Sequence, residues 1–250
     1  MKDIATLKAR AQKLRRETLE LIYSRKQGHT GGAFSIIDIL VALFYDVLKS
    51  EDRFVLSKGH ACMPYFILLR EKGFNPAIAG HPEIDHQNGI FCTTGSLGHG
   101  LPTVAGMAMA RKIKGAPGRF FVMMSDAECQ EGTTWESSLI VNHHHLDNIV
   151  AIIDNNKKQT LGYTKDILSL DDLAKKFEAF NWDVKVIDGH SFEEILLALN
   201  EPNKPGKPRM IIANTIKGKG VTFMENDISG WHNAIPSEEQ FKQWISELSQ

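Results

Sequence analysis

Arg119-Phe120-Phe121-Val122-Met123-Met124-Ser125-Asp126-Ala127-Glu128 is an apolar run that ends abruptly in a polar turn. Asn148-Ile149-Val150-Ala151-Ile152-Ile153-Asp154-Asn155-Asn156 repeats the pattern. Neither run alternates apolar with polar residues, so each reads as a strand covered on both faces, as in a parallel sheet. Residues 134–145 between them have helical spacing, and strand–helix–strand is the repeating unit of such sheets.

The same alternation extends outward. Strand candidates are Arg53–Leu56 and residues 119–124, 148–153, 182–187 and 210–214, with helical patterns at 101–113, 134–145 and 191–199. The predicted fold class is α/β, an open, mostly parallel sheet with helices on both faces, in a single domain over residues 1–250. Ile4, Leu7, Ala11, Leu14, Thr18 and Leu21 recur at steps of three and four, which marks a long first helix. The Lys and Arg residues among them read as its solvated face. Ser35, with Asp38 three residues on, reads as the cap of a helix over 39–48, with Phe34 and Ile39 as a hydrophobic staple. Residues 237–250 read as a short last helix.

Composition narrows the function classes. Hydrophobic residues make up 42% of the chain and charged residues 24%, the balance of an ordinary soluble globular protein. A formal net charge of −1 gives no electrostatic case for nucleic acid or an anionic membrane as partner. No stretch reaches the ~18 apolar residues of a membrane span, and the charged N-terminus lacks an apolar signal core. Cys62, Cys92 and Cys129 are unrelated in spacing, which argues against a disulfide framework and a zinc site and fits a reducing cytoplasm.

Ligands of open α/β sheets sit beyond the carboxyl ends of the strands. There the sequence places Ser57-Lys58-Gly59-His60, Ser125-Asp126-Ala127-Glu128, Asp154-Asn155-Asn156 and Thr215-Ile216 with Gly218 and Gly220. Asp126 and Asn156, 30 residues apart, would meet if their strands are neighbours. A carboxylate, an amide oxygen and a loop carbonyl are hard ligands, suited to Mg²⁺ or Ca²⁺ holding a diphosphate. A helix-capping Asp and a turn Asn would have the same spacing, so the pair alone leaves both readings open.

The wider set of motifs resembles the transketolase family. The segment from Ser125-Asp126-Ala127 to Asn155-Asn156 is similar to the thiamine-diphosphate motif, Gly-Asp-Gly followed by Asn-Asn. Gly28-His29-Thr30-Gly31-Gly32, Arg53 through Ala61, Gly80-His81-Pro82-Glu83, Thr94-Gly95-Ser96-Leu97-Gly98, Glu131-Gly132, Trp135-Glu136, Thr215 through Gly220 and Trp231-His232 follow in family order.

The resemblance implies a thiamine-diphosphate-binding fold with a metal held by Asp126, Asn156 and the backbone carbonyl of Lys158. It implies His60, Ala127 and His232 at the diphosphate, and Gly95, Ser96 and Leu97 beside the aminopyrimidine. His29, His60, His81 and His232 become the catalytic histidines, and Glu131 and Glu136 belong to a carboxylate network at a subunit interface, Glu131 counted with the cofactor site. A full-length transketolase is more than twice as long, so the resemblance is closest to N-terminal subunits of split transketolases. These pair with a C-terminal subunit carrying the pyrimidine-binding domain, as an α2β2 heterotetramer, and act on small sugars or sugar phosphates. Two readings compete with ketol transfer: decarboxylation of a 2-oxoacid with carboligation on the same cofactor, and a scaffold without cofactor.

Several positions depart from the family pattern. Ser125 and Ala127 replace glycines, His99 replaces a glutamine and Asn233 a glycine. If Ala127 needed a positive φ, its methyl would be costly. Consecutive His143, His144 and His145 cannot all face one ion from a helix, so a surface or interface role is expected. Cys129 is expected to be a packed small residue.

Overall fold

The computed structural model describes residues 3–227 and 231–249. Strands β1 (Arg53–Leu56), β2 (Phe120–Ser125), β3 (Ile149–Asn155), β4 (Asp183–Asp188) and β5 (Arg209–Asn214) pair in the order β1-β2-β3-β5-β4, every pair parallel. All carboxyl ends therefore leave the sheet on one side. The register sets Ser125 against Asp154 and Asn155 against Asn214, so the exits of β2, β3 and β5 stand side by side.

The helices are α1 (Ile4–Arg25), α2 (Thr30–Phe34), α3 (Ile37–Ala42), α4 (Cys62–Glu71), α5 (Gly100–Ile113), α6 (Gly132–His143), α7 (Thr164–Ile167), α8 (Leu173–Ala179), α9 (Phe192–Asn200), α10 (Thr222–Asn226) and α11 (Glu238–Glu247). Successive strand residues point to opposite faces, and each face has its own core. Phe121, Met123, Val150, Ile152 and Ile211 pack with Leu7 and Leu14 of α1, Leu40 of α3, Phe66 of α4 and Ile195 of α9. Val122, Met124, Ala151, Ile153 and Ile212 pack with Val104 of α5, Val141 of α6 and Phe177 of α8. The α/β class is as expected.

Three expectations change. β4 is an edge strand with Val186 56% exposed, so burial on both faces holds for β2 and β3 but not there. Arg15 is no part of a solvated face: it is buried, and its guanidinium pairs with Asp38. The start predicted at Ser35 is also absent. α2 precedes it, and α3 begins after Ile36 with no side-chain cap. The Ser35 hydroxyl turns inward instead, 2.7 Å from the Asp154 carboxylate and 3.0 Å from the Gly32 carbonyl. A buried carboxylate has more to gain from that hydroxyl than a helix end that α2 already covers. The last helix does form behind Ser237, which makes a capping box with Gln240. Gln250 of its expected range lies outside the described residues.

α5 approaches the sheet closely at Gly100, whose N–H donates to Ser57 Oγ over 3.2 Å. A Cβ there would stand 2.2 Å from that oxygen and 2.4 Å from Ser57 Cβ. Gly100→Ala should therefore destabilise the fold by about 1–3 kcal/mol through overpacking. It should appear as a lower urea midpoint at unchanged slope; an unshifted midpoint would refute the contact.

Candidate active site

The site is built on a buried ion pair. Lys58, just past β1, and Asp154, within β3, are both fully shut from water, and the lysine ammonium pairs with the carboxylate. Lys58 also donates to the Gly32 carbonyl over 2.9 Å. Asp154 further receives the hydroxyls of Ser35 and Thr215 and, over 2.8 Å, the side-chain amide of Asn156. Burial pushes the Asp154 carboxyl up, but Lys58 and the hydroxyls outweigh it and hold it below its ordinary value. Removing one partner of such a pair costs ~3–5 kcal/mol.

The pair also orients Asn156. With Nδ2 committed to Asp154, Oδ1 points at the next turn and accepts the Lys158 N–H over 3.0 Å.

Asp126 follows β2 and is 2% exposed. Its carboxylate accepts the N–H groups of Ala127 and Lys157 over 2.8 and 2.9 Å and the Thr164 hydroxyl over 3.0 Å. Burial and the neighbouring Asp154 raise its pKa to about 6. Ala127 has a negative φ, so the steric cost foreseen for it does not arise. Ser125 is put to use, its N–H and hydroxyl facing the Glu128 carboxylate at 2.8 and 3.5 Å.

The histidines converge from distant parts of the chain. The His29 ring lies 5.3 Å from His60, 5.9 Å from His81 and 5.0 Å from His232, and His60 and His232 are 5.3 Å apart. Burial and then neighbouring His and Lys charges lower His29 and His232 to about 4, and burial with Lys58 takes His60 well below its ordinary value. These three rings are neutral at pH 7. His29 Nδ1 is buried with no hydrogen-bond partner. An orphaned polar atom costs ~1–3 kcal/mol, and a ligand atom in the cleft would satisfy it.

A cleft of about 210 Å³ gathers these groups: His29, His60, His81, Gly95, Leu97, Asp126, Ala127, Asn156, Lys158 and His232 all line it. Gly95, at φ +147°, lets the loop pass His81, which a Cβ would meet at 3.1 Å. Ser96 and Glu131 are not among the lining residues. The Ser96 hydroxyl lies 3.3 Å from His99 Nδ1, and Glu131 is exposed, as is Glu136 on α6. A larger cleft of about 600 Å³ also touches Asp126 but is lined by Tyr163, Lys165, Asp172 and Val186. No histidine reaches it, so the convergent chemistry belongs to the smaller one. His143, His144 and His145 are exposed, as expected, and Cys129 is packed, its thiol pushed well above its ordinary value by burial.

Sequence reasoning gave no role to three further residues. Lys58 and Glu128 look like ordinary loop charges until burial is known. Glu128 takes the Ser57 hydroxyl and the N–H groups of Gly98 and Ser125, so it ties the exits of β1 and β2 to the Thr94–Gly98 turn. Lys217 lines the cleft, 3.4 Å from both His232 Nδ1 and the Gln159 carbonyl. The signal was there: a lysine three residues past β5, ahead of Gly218.

Burial, then the nearby Lys58 charge, lowers Lys217 to about 8. Its charge is present below that pH and lost above it. Affinity for inorganic pyrophosphate, followed by calorimetry, should therefore fall as pH rises through about 8, and Lys217→Met should flatten that part of the profile. An identical profile in the variant would separate the amine from the anion.

Comparisons with known proteins agree with this geometry. The family described as transketolase, thiamine diphosphate binding domain, matches residues 7–248. An apulose-4-phosphate transketolase subunit of Phocaeicola vulgatus is 36% identical, over 99% of this chain and 95% of its own. The 6-deoxy-6-sulfo-D-fructose transketolase subunit SqwG of a Clostridium species is 36% identical over 97% and 96%. The crystal structure of transketolase from Campylobacter jejuni superposes with a TM-score of 0.87 at 28% identity, covering 99% of this chain and 43% of that one. The chain thus spans nearly all of the subunit relatives and under half of the longer enzyme. With its parallel sheet, its cleft at the strand exits and this similarity along its length, the chain belongs to the transketolase family, as a thiamine-diphosphate-binding domain.

Proposed function

We propose that this chain is the diphosphate- and metal-binding subunit of a two-subunit transketolase, which moves a two-carbon ketol unit from a ketose to an aldose. The observation that carries the reading is Asp126, a buried carboxylate raised to about 6 by burial and Asp154, in a cleft lined by four histidines. The two subunit relatives named above support the split arrangement.

The residues present fit a metal and a diphosphate. Among the described residues no group of three or more His, Cys, Asp or Glu is placed to hold a metal. A cation would therefore rest on mixed oxygen ligands: the Asp126 carboxylate, Asn156 Oδ1 and the Lys158 backbone carbonyl. That donor set suits Mg²⁺ or Ca²⁺ with phosphate oxygens completing the shell. Lys158 Nζ is committed elsewhere, to the carbonyls of Glu225 and Asp227.

Lys217, His60, His232 and the Ala127 N–H would face the diphosphate, and Gly95, Ser96 and Leu97 the ring portion. Thiamine diphosphate, when bound, supplies the nucleophilic carbon and the electron sink for carbon–carbon bond exchange. The chain's part is to place the sugar and manage protons. His29 and His232 start neutral, so each can accept a proton from a sugar hydroxyl and return it to an oxygen. His29 and His81 are assigned to the substrate's hydroxyl and carbonyl oxygens.

The partner is read as a C-terminal transketolase subunit with a pyrimidine-binding domain, in an α2β2 heterotetramer. Leu139 and Ile140, 54% and 48% exposed on the helix that carries Glu136, support an interface there. A cytoplasmic location fits the three free cysteines. Small sugars or sugar phosphates are the substrate class.

The purified chain should show no turnover alone, and the C-terminal subunit should restore it with ketose phosphates. Turnover by the single chain would sink the split arrangement, and product from pyruvate alone would replace ketol transfer with decarboxylation. In the two-subunit complex, Asp126→Ala should abolish metal-dependent binding of thiamine diphosphate, read by calorimetry. Undiminished binding would overturn the metal site, and wild-type complex that binds no cofactor would leave a scaffold.

A further inference from the structure

Away from the cleft, two buried polar side chains and a partly buried histidine grip one loop at two points. Arg15 of α1 donates to both carboxylate oxygens of Asp38 in α3, over 3.1 and 2.6 Å, and its Nε donates to the Lys219 carbonyl over 2.9 Å. His190, in the turn after β4, has Nδ1 at 2.7 Å from Asp38 Oδ2. Its Nε2 accepts the backbone N–H of Ile216 over 2.9 Å. A backbone N–H can only donate, so Nε2 carries the lone pair and the ring proton sits on Nδ1, shared with Asp38. Side-chain exposures of 12% for His190, 8% for Asp38 and 9% for Arg15 leave little water at the ion pair, while the bond from Ile216 lies at the surface.

The gripped segment is the one that follows β5. Ile216 lies between Thr215, whose hydroxyl holds Asp154, and Lys217, whose ammonium lines the cleft. Lys219 closes the same turn, its N–H donating to the Ile216 carbonyl over 3.2 Å. Apart from the clamp, the loop is tied down by Gly218, whose N–H donates to the Gly31 carbonyl over 3.0 Å, and by Thr215. Within the turn, the Ile216 N–H and the Lys219 carbonyl, on either side of Lys217, are held by the clamp.

We propose that Arg15, Asp38 and His190 form a positioning clamp that sets the pose of the loop after β5 and so places the Lys217 ammonium against an anionic ligand in the cleft. The role rests on the diphosphate reading of the cleft. None of the three touches the cleft itself, so each acts only through the loop.

Two isosteric changes dissect the clamp. His190→Asn keeps a donor near Nδ1 but offers nothing to Ile216, whereas His190→Gln brings an amide oxygen close to the place of Nε2. With Mg²⁺ and inorganic pyrophosphate as probe, His190→Asn should weaken binding by about tenfold, the worth of one hydrogen bond to a charged group. Amide exchange at Ile216 should speed up at nearly unchanged melting temperature, and His190→Gln should restore both. In a Lys217→Met background, His190→Asn should cost no further affinity, because the clamp acts through that side chain.

An equal loss in that background, or unaltered binding and exchange in His190→Asn, overturns the clamp. A wild-type chain that binds no pyrophosphate overturns the diphosphate reading, and with it the service assigned to the clamp. The exchange measurement still shows in that case whether His190 holds Ile216.

Discussion

Lys58 and Asp154 meet where water does not reach, and the rest of the site hangs from that meeting. A lone carboxylate at the end of a central strand would be costly to bury. With the ammonium beside it, the same carboxylate becomes a hub for Asn156, two residues on, and for Ser35 and Thr215, which arrive from two other parts of the chain. Each ligand-facing group is oriented at second hand: the Asn156 amide by its bond to Asp154, the loop after β5 by Thr215. A charge pair worth little on a surface here sets directions. It does so because neither partner can exchange its bonds for water.

Electrostatics in the cleft are divided between zones. Near Asp126, burial and then the Asp154 carboxylate raise a carboxyl to about 6. A few residues away, Lys58 and Lys217 help hold His29 and His232 at about 4 and so keep them uncharged. A cation and an anion can therefore lie side by side, each against residues of opposite tendency, while the rings between remain proton acceptors. Lys217, which would attract a diphosphate, also helps keep the histidines available.

Much of this was legible in the sequence, for physical reasons. Parallel strands are covered on both faces, so they show as apolar runs, and the first polar residue after each run marks the exit. Asp126 and Asn156 could be placed in this way. The runs also located four of the strands to within two residues, β1 matching throughout. What stayed hidden depends on contacts distant in the chain. Lys58 finds Asp154 across 96 positions and Ser35 finds it across 119. Nothing local distinguishes Ser35 from a helix cap, Arg15 from a solvated helix residue, or Glu128 from any loop carboxylate. Lys217 stood in a quoted motif, but only its burial beside His232 shows that it belongs to the cleft.

The rings of His29 and His232 stand 5.0 Å apart, and the Gly31 N–H donates to the Trp231 carbonyl over 3.0 Å. The two sides of that contact, Gly31 and Trp231, are 200 positions apart in the chain. During synthesis the loop that carries His29 must therefore wait, with donors unmatched, until Trp231 and His232 have left the ribosome. The sheet can assemble strand by strand before then, since β1, β2 and β3 pair in chain order. The cleft is finished only when that segment folds back across it.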